Sequence, residues 1–124
     1  DGAYIPVIKA LIVCQDNASP LSSRQVDWTS NDLDTLRHES HHVVQDCLLG
    51  ELGDGESEPL FNTRESLKSF VDNILSEEQI DRIVTNYREL GFDREVIIME
   101  IEAFAVASGV SPDKIADAIN KFCN

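Results

Sequence analysis

Apolar residues recur at helical spacing in the first half of the chain and predict a helix over residues 32–49. The apolar positions that share one side of the helical wheel are Leu33, Leu36, Val43, Val44 and Cys47. Ser30 or Asn31 can cap the start of this helix, and Gly50 can end it. The pattern therefore predicts an amphipathic helix with one buried face.

The second half of the chain shows the same helical spacing in four further segments. An amphipathic stretch predicts a helix over 63–75, and a capping box that begins at Ser76 predicts another that ends near Leu90 and Gly91. Asp93 opens the most apolar segment, which Gly109 closes. Ser111-Pro112-Asp113 caps a last helix that ends at about Phe122.

The N-terminal segment 4–14 has a different pattern, with many β-branched residues between turn formers. It predicts a strand, with Pro6 at an edge. Residues 15–31 predict a loop, in which Val26 and Trp28 are either anchors or a short second strand, and residues 51–58 predict an acidic loop. The expected fold is α+β and mainly α: one domain over 1–124, with a small N-terminal β element and four to five helices.

The composition limits the partners that the chain can bind. Its formal net charge of −13 disfavours nucleic acid, because phosphate backbones are bound by clustered Lys and Arg. The apolar stretch near the N-terminus is too short to cross a bilayer, so no membrane partner is expected. The three cysteines form no C-x-x-C pair, which favours a reducing compartment, although one bridge between an unspecified pair stays open.

All three histidines lie within five consecutive residues of the first predicted helix, His38-Glu39-Ser40-His41-His42. Residues four apart on a helix differ by about 40° around its axis, so His38 and His42 can bind one Zn²⁺ together. Glu39 points about 100° away from His38 and can act as a general base on a water that the zinc acidifies. Pairing of His38 with His41 is the alternative.

A catalytic zinc site needs a third protein ligand, and no further histidine is present to supply it. Glu100 and Glu102 are the candidates, because a carboxylate within so apolar a helix is costly to bury unless a metal compensates its charge. The two are about 200° apart around the helix, so only one is expected to be a ligand, with a slight preference for Glu100. Gln45 or Asp46 could orient the site, and Tyr4 or Tyr87 could stabilise an oxyanion.

The His38-Glu39-Ser40-His41-His42 motif, followed by an acidic residue on a later helix, resembles the gluzincin branch of the zincin metallopeptidases. In that branch the third ligand is a Glu with a small residue three positions later, which both Glu100 and Glu102 satisfy. The acidic or amide residue that many members carry four positions after the ligand is replaced here by Phe104 or Val106. Residues 36–46 are also similar to small metallopeptidase-like proteins of cyanobacteria and their phages.

The expected function is zinc-dependent hydrolysis of a peptide or protein substrate. Its predicted site has His38, His42 and Glu100 or Glu102 as metal ligands and Glu39 as the catalytic base. The expected location is the cytoplasm of a bacterium or of an infected bacterial cell. Two alternatives stay open: a catalytically inactive zincin-like binding or regulatory protein, and an acidic helical interaction module without a metal.

Overall fold

The computed structural model describes residues 1–21, 25–54 and 56–123. It is mainly helical with a small antiparallel sheet at the N-terminus, as the sequence predicts. The predicted loops 15–31 and 51–58 include residues 22–24 and 55, which lie outside the described residues. The elements in chain order are β1 (Gly2–Ile5), β2 (Ala10–Val13), α1 (Ser30–Cys47), α2 (Arg64–Asp72), α3 (Glu77–Glu89), α4 (Arg94–Gly109) and α5 (Pro112–Phe122).

The predicted single strand over 4–14 is wrong in detail, because the segment folds back on itself as a hairpin. β1 and β2 pair with Gly2 opposite Val13 and Ile5 opposite Ala10. A short 3-10 turn begins at Pro6, which has no amide hydrogen for a strand ladder. The turn ends at Lys9, whose φ of 52° reverses the chain direction. The described residues around Val26 and Trp28 form no second strand.

The five predicted helices are present, and most begin at the capping residue that the sequence indicates. α3 begins after a capping box between Ser76 and Gln79. α1 begins earlier than predicted, because Thr29 and not Ser30 or Asn31 is its N-cap. Thr29 accepts from the backbone amide of Asp32, whose side chain accepts in turn from the Thr29 amide.

α1 and α4 pack against each other at the centre of the molecule. α5 and the hairpin contact α1, and α2 and α3 contact α4. Between α2, α3 and α4 lies an apolar core that includes Val71, Leu75, Ile83 and Ala105. Because their outer faces are covered in this way, α1 and α4 hold any side chains between them in fixed positions.

Cys47 at the end of α1 forms a disulfide with Cys123, just after α5. Cys47 is buried, as its place on the apolar face of α1 predicts, and Cys47–Cys123 is the bridge whose pair the sequence left unspecified. Cys14 is a free, exposed thiol. The bond joins residues 76 positions apart, so it fixes the end of the histidine-bearing helix to the C-terminal segment.

Candidate metal centre

The side chains of His38, His42 and Glu100 converge between α1 and α4, and we call them the Glu100 cluster. His38 Nε2 lies 2.9 Å from Glu100 Oε2, and His42 Nε2 lies 3.1 Å from Glu100 Oε1. The two Nε2 atoms are 3.2 Å apart. One ligand atom from each residue lies within 4.8 Å of the others. Lone pairs this close repel each other unless a proton or a cation lies between them.

Local helix geometry explains this convergence. His38 and His42 are one turn apart on α1, and their rings meet edge to face with centroids 4.8 Å apart. Glu100 comes from α4, the penultimate helix, where the sequence predicts the third ligand. The structure therefore brings together the predicted histidine pair and the preferred one of the two glutamates.

Charge within the Glu100 cluster shifts the pKa values of its members. Burial acts to raise the pKa of Glu100, but hydrogen bonds from His38 and His42 outweigh burial and lower it. Burial acts to lower the pKa of His42, but the hydrogen bond and negative charge of Glu100 outweigh burial and raise it. Both shifts arise because the Glu100 carboxylate attracts positive charge at the histidines, and the same attraction would act on a bound cation.

Gln45 fixes the orientation and tautomer of His42. The amide nitrogen of Gln45 donates to the carbonyl of Met99 at 3.0 Å and to Glu102 Oε1 at 3.1 Å. Its oxygen is therefore the atom that faces His42 Nδ1, at 2.7 Å, and must accept a hydrogen from it. With the hydrogen on Nδ1, a neutral His42 presents the lone pair of Nε2 to the cluster, as a metal ligand must.

His38 is held in a different way. Its Nδ1 is buried and has no hydrogen-bond partner. The ring of Phe104 contacts the ring of His38 edge to face, with centroids 4.3 Å apart. Phe104 stands four positions after Glu100, where many gluzincins carry an acidic or amide residue. His38 is therefore positioned by its contact with Glu100 and by packing against Phe104, without a hydrogen bond at Nδ1.

Glu39, the predicted general base, lies beside the Glu100 cluster and is 8% exposed. It lines two cavities, of about 370 and about 330 Å³, which we name the Met99 cavity and the Ser108 cavity respectively after one lining residue of each. Gly2 of β1 lies against it, since a Cβ on Gly2 would stand 3.2 Å from Glu39 Cγ and 2.6 Å from a backbone oxygen. The absence of a side chain at Gly2 thus lets the hairpin approach the predicted base.

Tyr87 of α3 is the tyrosine that reaches the Glu100 cluster. Its hydroxyl donates to Glu100 Oε2 at 3.1 Å, and its ring lines both cavities. Burial and the charge of Glu100 raise the pKa of Tyr87, so the hydroxyl keeps its proton at neutral pH. Sequence reasoning could only name Tyr87 beside Tyr4, because nothing in the local pattern shows which tyrosine meets the site.

Tyr4 and Asp46 lie outside the cluster and bind each other. The Tyr4 hydroxyl donates to Asp46 Oδ2 at 2.6 Å, and the Gly53 amide donates to the same oxygen at 2.7 Å. Burial and the Asp46 carboxylate raise the pKa of Tyr4. Asp46 thus connects α1 to the hairpin and to the acidic loop, and its other oxygen, Oδ1, has no hydrogen-bond partner among the described residues.

Glu102, the other predicted ligand candidate, does not join the Glu100 cluster. It is fully buried, and its Oε1 lies 2.6 Å from His41 Nε2. Its two oxygens also accept from the backbone amides of Leu60 and Phe61, at 2.8 and 3.2 Å. Although burial acts to raise the pKa of Glu102, the hydrogen bond and charge of His41 and the Leu60 amide outweigh burial and lower it.

We call this second group, His41, Gln45 and Glu102, the Glu102 cluster. It corrects the alternative in which His41 pairs with His38 as a ligand, because His41 points to Glu102 instead. Gln45 stands three residues after His42 and four after His41, so it contacts both clusters. The backbone amides at Leu60 and Phe61 are the partners that sequence reasoning missed, because they come from a loop without a motif.

Comparisons with family models, with curated proteins and with solved structures found no match. None of the described helices is long and apolar enough to cross a membrane. The candidate site therefore rests on the geometry of the chain's own residues.

Proposed function

We propose that the protein is a small zinc-dependent peptidase in which His38, His42 and Glu100 bind one zinc ion and Glu39 is the general base. The observation that carries the proposal is the convergence of three ligand atoms within 4.8 Å of one another. Two imidazoles and one carboxylate are the protein ligands of a common type of catalytic zinc site, which keeps a fourth position open.

The distances within the cluster support zinc as the metal. Zn–N and Zn–O bonds of about 2.0–2.2 Å in a tetrahedral site put neighbouring ligand atoms roughly 3.3 Å apart. The two Nε2 atoms are 3.2 Å apart and contact different oxygens of Glu100, at 2.9 and 3.1 Å, so zinc binding through a single oxygen would need a rotation of this carboxylate. Bound at this position, zinc would polarise a peptide carbonyl and acidify a water molecule.

The side chains around the metal position supply the remaining chemistry. Glu39 lies where the two cavities meet and can take a proton from the attacking water and pass it to the leaving amine. Tyr87 keeps its proton and can donate a hydrogen bond to the carbonyl oxygen as negative charge develops there. Gln45 keeps the lone pair of His42 Nε2 directed at the metal position.

The proposal is tested by metal content and hydrolysis together. Purified protein, loaded with zinc and desalted, is analysed by elemental mass spectrometry and incubated with a peptide library. We expect about one zinc per chain in the wild type and in Glu39→Gln, and none in His42→Ala. Hydrolysis is expected to fall at least about 100-fold in Glu39→Gln, since a general base contributes about that much or more. Equal zinc content in wild type and His42→Ala would reject the metal site.

A second candidate is a zincin-like protein that holds the metal for binding or regulation and cleaves nothing. The unpartnered Nδ1 of His38 favours it, because hydrogen bonds to ligand histidines support affinity and activity in zinc enzymes. The same experiment separates the two functions. Zinc bound at His38 and His42 without hydrolysis of any library peptide would select the second candidate.

The cytoplasm of a bacterial or infected bacterial cell is part of the proposal, and the Cys47–Cys123 pair provides its test. Disulfides persist mainly in oxidising compartments, so the cytoplasm requires these two cysteines to be thiols in the cell. Cells lysed with a thiol-blocking reagent should then yield protein labelled at both positions. Protein that is labelled at Cys14 alone would place the chain in an oxidising compartment.

A further inference from the structure

We infer, on the basis of the proposed function, that the site cleaves internal bonds of an extended polypeptide and does not remove terminal residues. The Met99 cavity and the Ser108 cavity share three lining residues, Gly2, Glu39 and Tyr87. His42 and Glu100 line the first cavity, and His38 lines the second. The Glu100 cluster therefore borders both cavities.

A peptide bond placed at Glu39 would have chain on both sides. The Met99 cavity is about 370 Å³ and the Ser108 cavity about 330 Å³, both within the range of pockets that take small ligands, roughly 300–1,000 Å³. The Met99 cavity shares Ser57 and Met99 with a further cavity of about 290 Å³, so the groove continues away from the cluster. An enzyme that removes terminal residues instead needs a groove that is closed on one side of the bond to be cleaved.

Such an enzyme also needs a group of opposite charge to bind the free chain end. Among the residues that the structure describes, no Lys or Arg lines any of the three cavities. A terminal carboxylate in the Met99 cavity would have no Lys or Arg to pair with, beside the zinc-binding Glu100 and the base Glu39. The groove therefore disfavours carboxypeptidase activity.

A terminal amine in the Ser108 cavity would find few carboxylates that are both enclosed and unpaired. Asp34 lines this cavity, but its carboxylate already pairs with Arg37. Asp1 is exposed, where water screens its charge. Glu39 is enclosed but is needed as the base. The two cavities that border the Glu100 cluster thus favour an uncharged, continuous chain over a chain end.

The test uses the zinc-loaded full chain and one decapeptide sequence in four forms: both ends free, acetylated, amidated, and both ends blocked. Mass spectrometry locates the cut. We expect the doubly blocked peptide to be cleaved within threefold of the free peptide, at least two residues from either end. A requirement for a free amine or a free carboxylate would overturn this inference alone. Failure to cleave any form, with zinc bound, would overturn the proposed function and the inference with it.

A variant that fills one side of the groove provides a second readout. Ser108 is exposed on α4 and lines the Ser108 cavity, so Ser108→Trp should lower kcat/KM for the doubly blocked peptide at least tenfold, mainly through KM. Zinc content should stay unchanged. The matched control is Ser69→Trp, at an exposed position of α2, for which we expect wild-type kinetics. Equal kcat/KM in the two variants would show that substrate does not occupy the Ser108 cavity.

Discussion

Glu100 and Glu102 stand two positions apart on one helix, yet the tertiary structure gives them different environments. Glu100 is 16% exposed at its side chain, beside two cavities, and contacts two histidines and a tyrosine. Glu102 has no exposed surface and binds His41, Gln45 and two backbone amides. A carboxylate that is partly open to solvent can exchange its partners for a ligand, whereas one that is fully satisfied and enclosed stabilises the fold.

The largest expected effect comes from the same chemical change made at each glutamate. Glu100→Gln removes the charged ligand and should weaken zinc binding by more than about 100-fold, beyond the range typical of outer partners of metal ligands. Glu102→Gln leaves the three ligands in place, so the zinc affinity should fall less than about tenfold. Competition with a zinc-binding dye measures both affinities. Equal losses of zinc affinity in the two variants would show that the two glutamates do not differ in their role in zinc binding.

In the metal-free protein, loss of the histidine of the Glu102 cluster should lower stability more than loss of a histidine of the Glu100 cluster. His41→Ala leaves the Glu102 carboxylate buried without its histidine partner and should lower the free energy of unfolding by about 3 kcal/mol, as for other broken buried pairs. His42→Ala, at a partly exposed site with a nearby cavity, should lower it by about 1 kcal/mol or less. Urea denaturation with a chelator present measures both values. A larger loss for His42→Ala would contradict the structural role of the Glu102 cluster.

Gln45 connects the two clusters, and its removal should have an intermediate effect on the metal. Gln45→Leu removes the acceptor of the His42 Nδ1 hydrogen, and zinc affinity should fall by about 10- to 100-fold. Ser40→Ala on the same helix is the control and should bind zinc as the wild type does. An unchanged affinity in Gln45→Leu would mean that the ring of His42 is held without this amide.

Asp32 is a third fully buried carboxylate, held mainly by backbone amides and not by a histidine. The Thr29 amide and then the Asp16 amide hydrogen-bond to it and lower its pKa, with burial opposing them. Its contribution to stability is therefore present above the aspartate pKa of the unfolded chain, about 3.9, and is lost as pH falls through the lower folded value.

Asp32→Asn should accordingly destabilise the protein at pH 7, because an amide has a single acceptor oxygen for these donors. The difference in free energy of unfolding between this variant and the wild type should decrease below about pH 4. Denaturation series at pH 3 and pH 7 measure the change, with Asp117→Asn, at an exposed position of α5, as control. If Asp32→Asn lowers the free energy of unfolding by the same amount at both pH values, the charge of Asp32 does not contribute to stability.

The helices and much of the site could be predicted because their signals are local. The capping box of Ser76 and Gln79 indicates the start of α3. The four-residue spacing of His38 and His42 places both rings on one face of α1. The hairpin could not be predicted in the same way. Its reversal at Lys9 depends on a positive φ that the sequence pattern of β-branched residues does not reveal.

By itself, the sequence determined the helical periodicity, the histidine pair with Glu39 beside it, and Glu100 and Glu102 as the two candidates for a third ligand. Only the tertiary structure showed which glutamate meets the histidine pair, because this depends on how α4 lies across α1 and on the amides of Leu60 and Phe61. It also decided that Gln45 holds His42 and that Cys47 bonds to Cys123. These partners are brought together by packing between distant segments, and local sequence patterns carry no information about such packing.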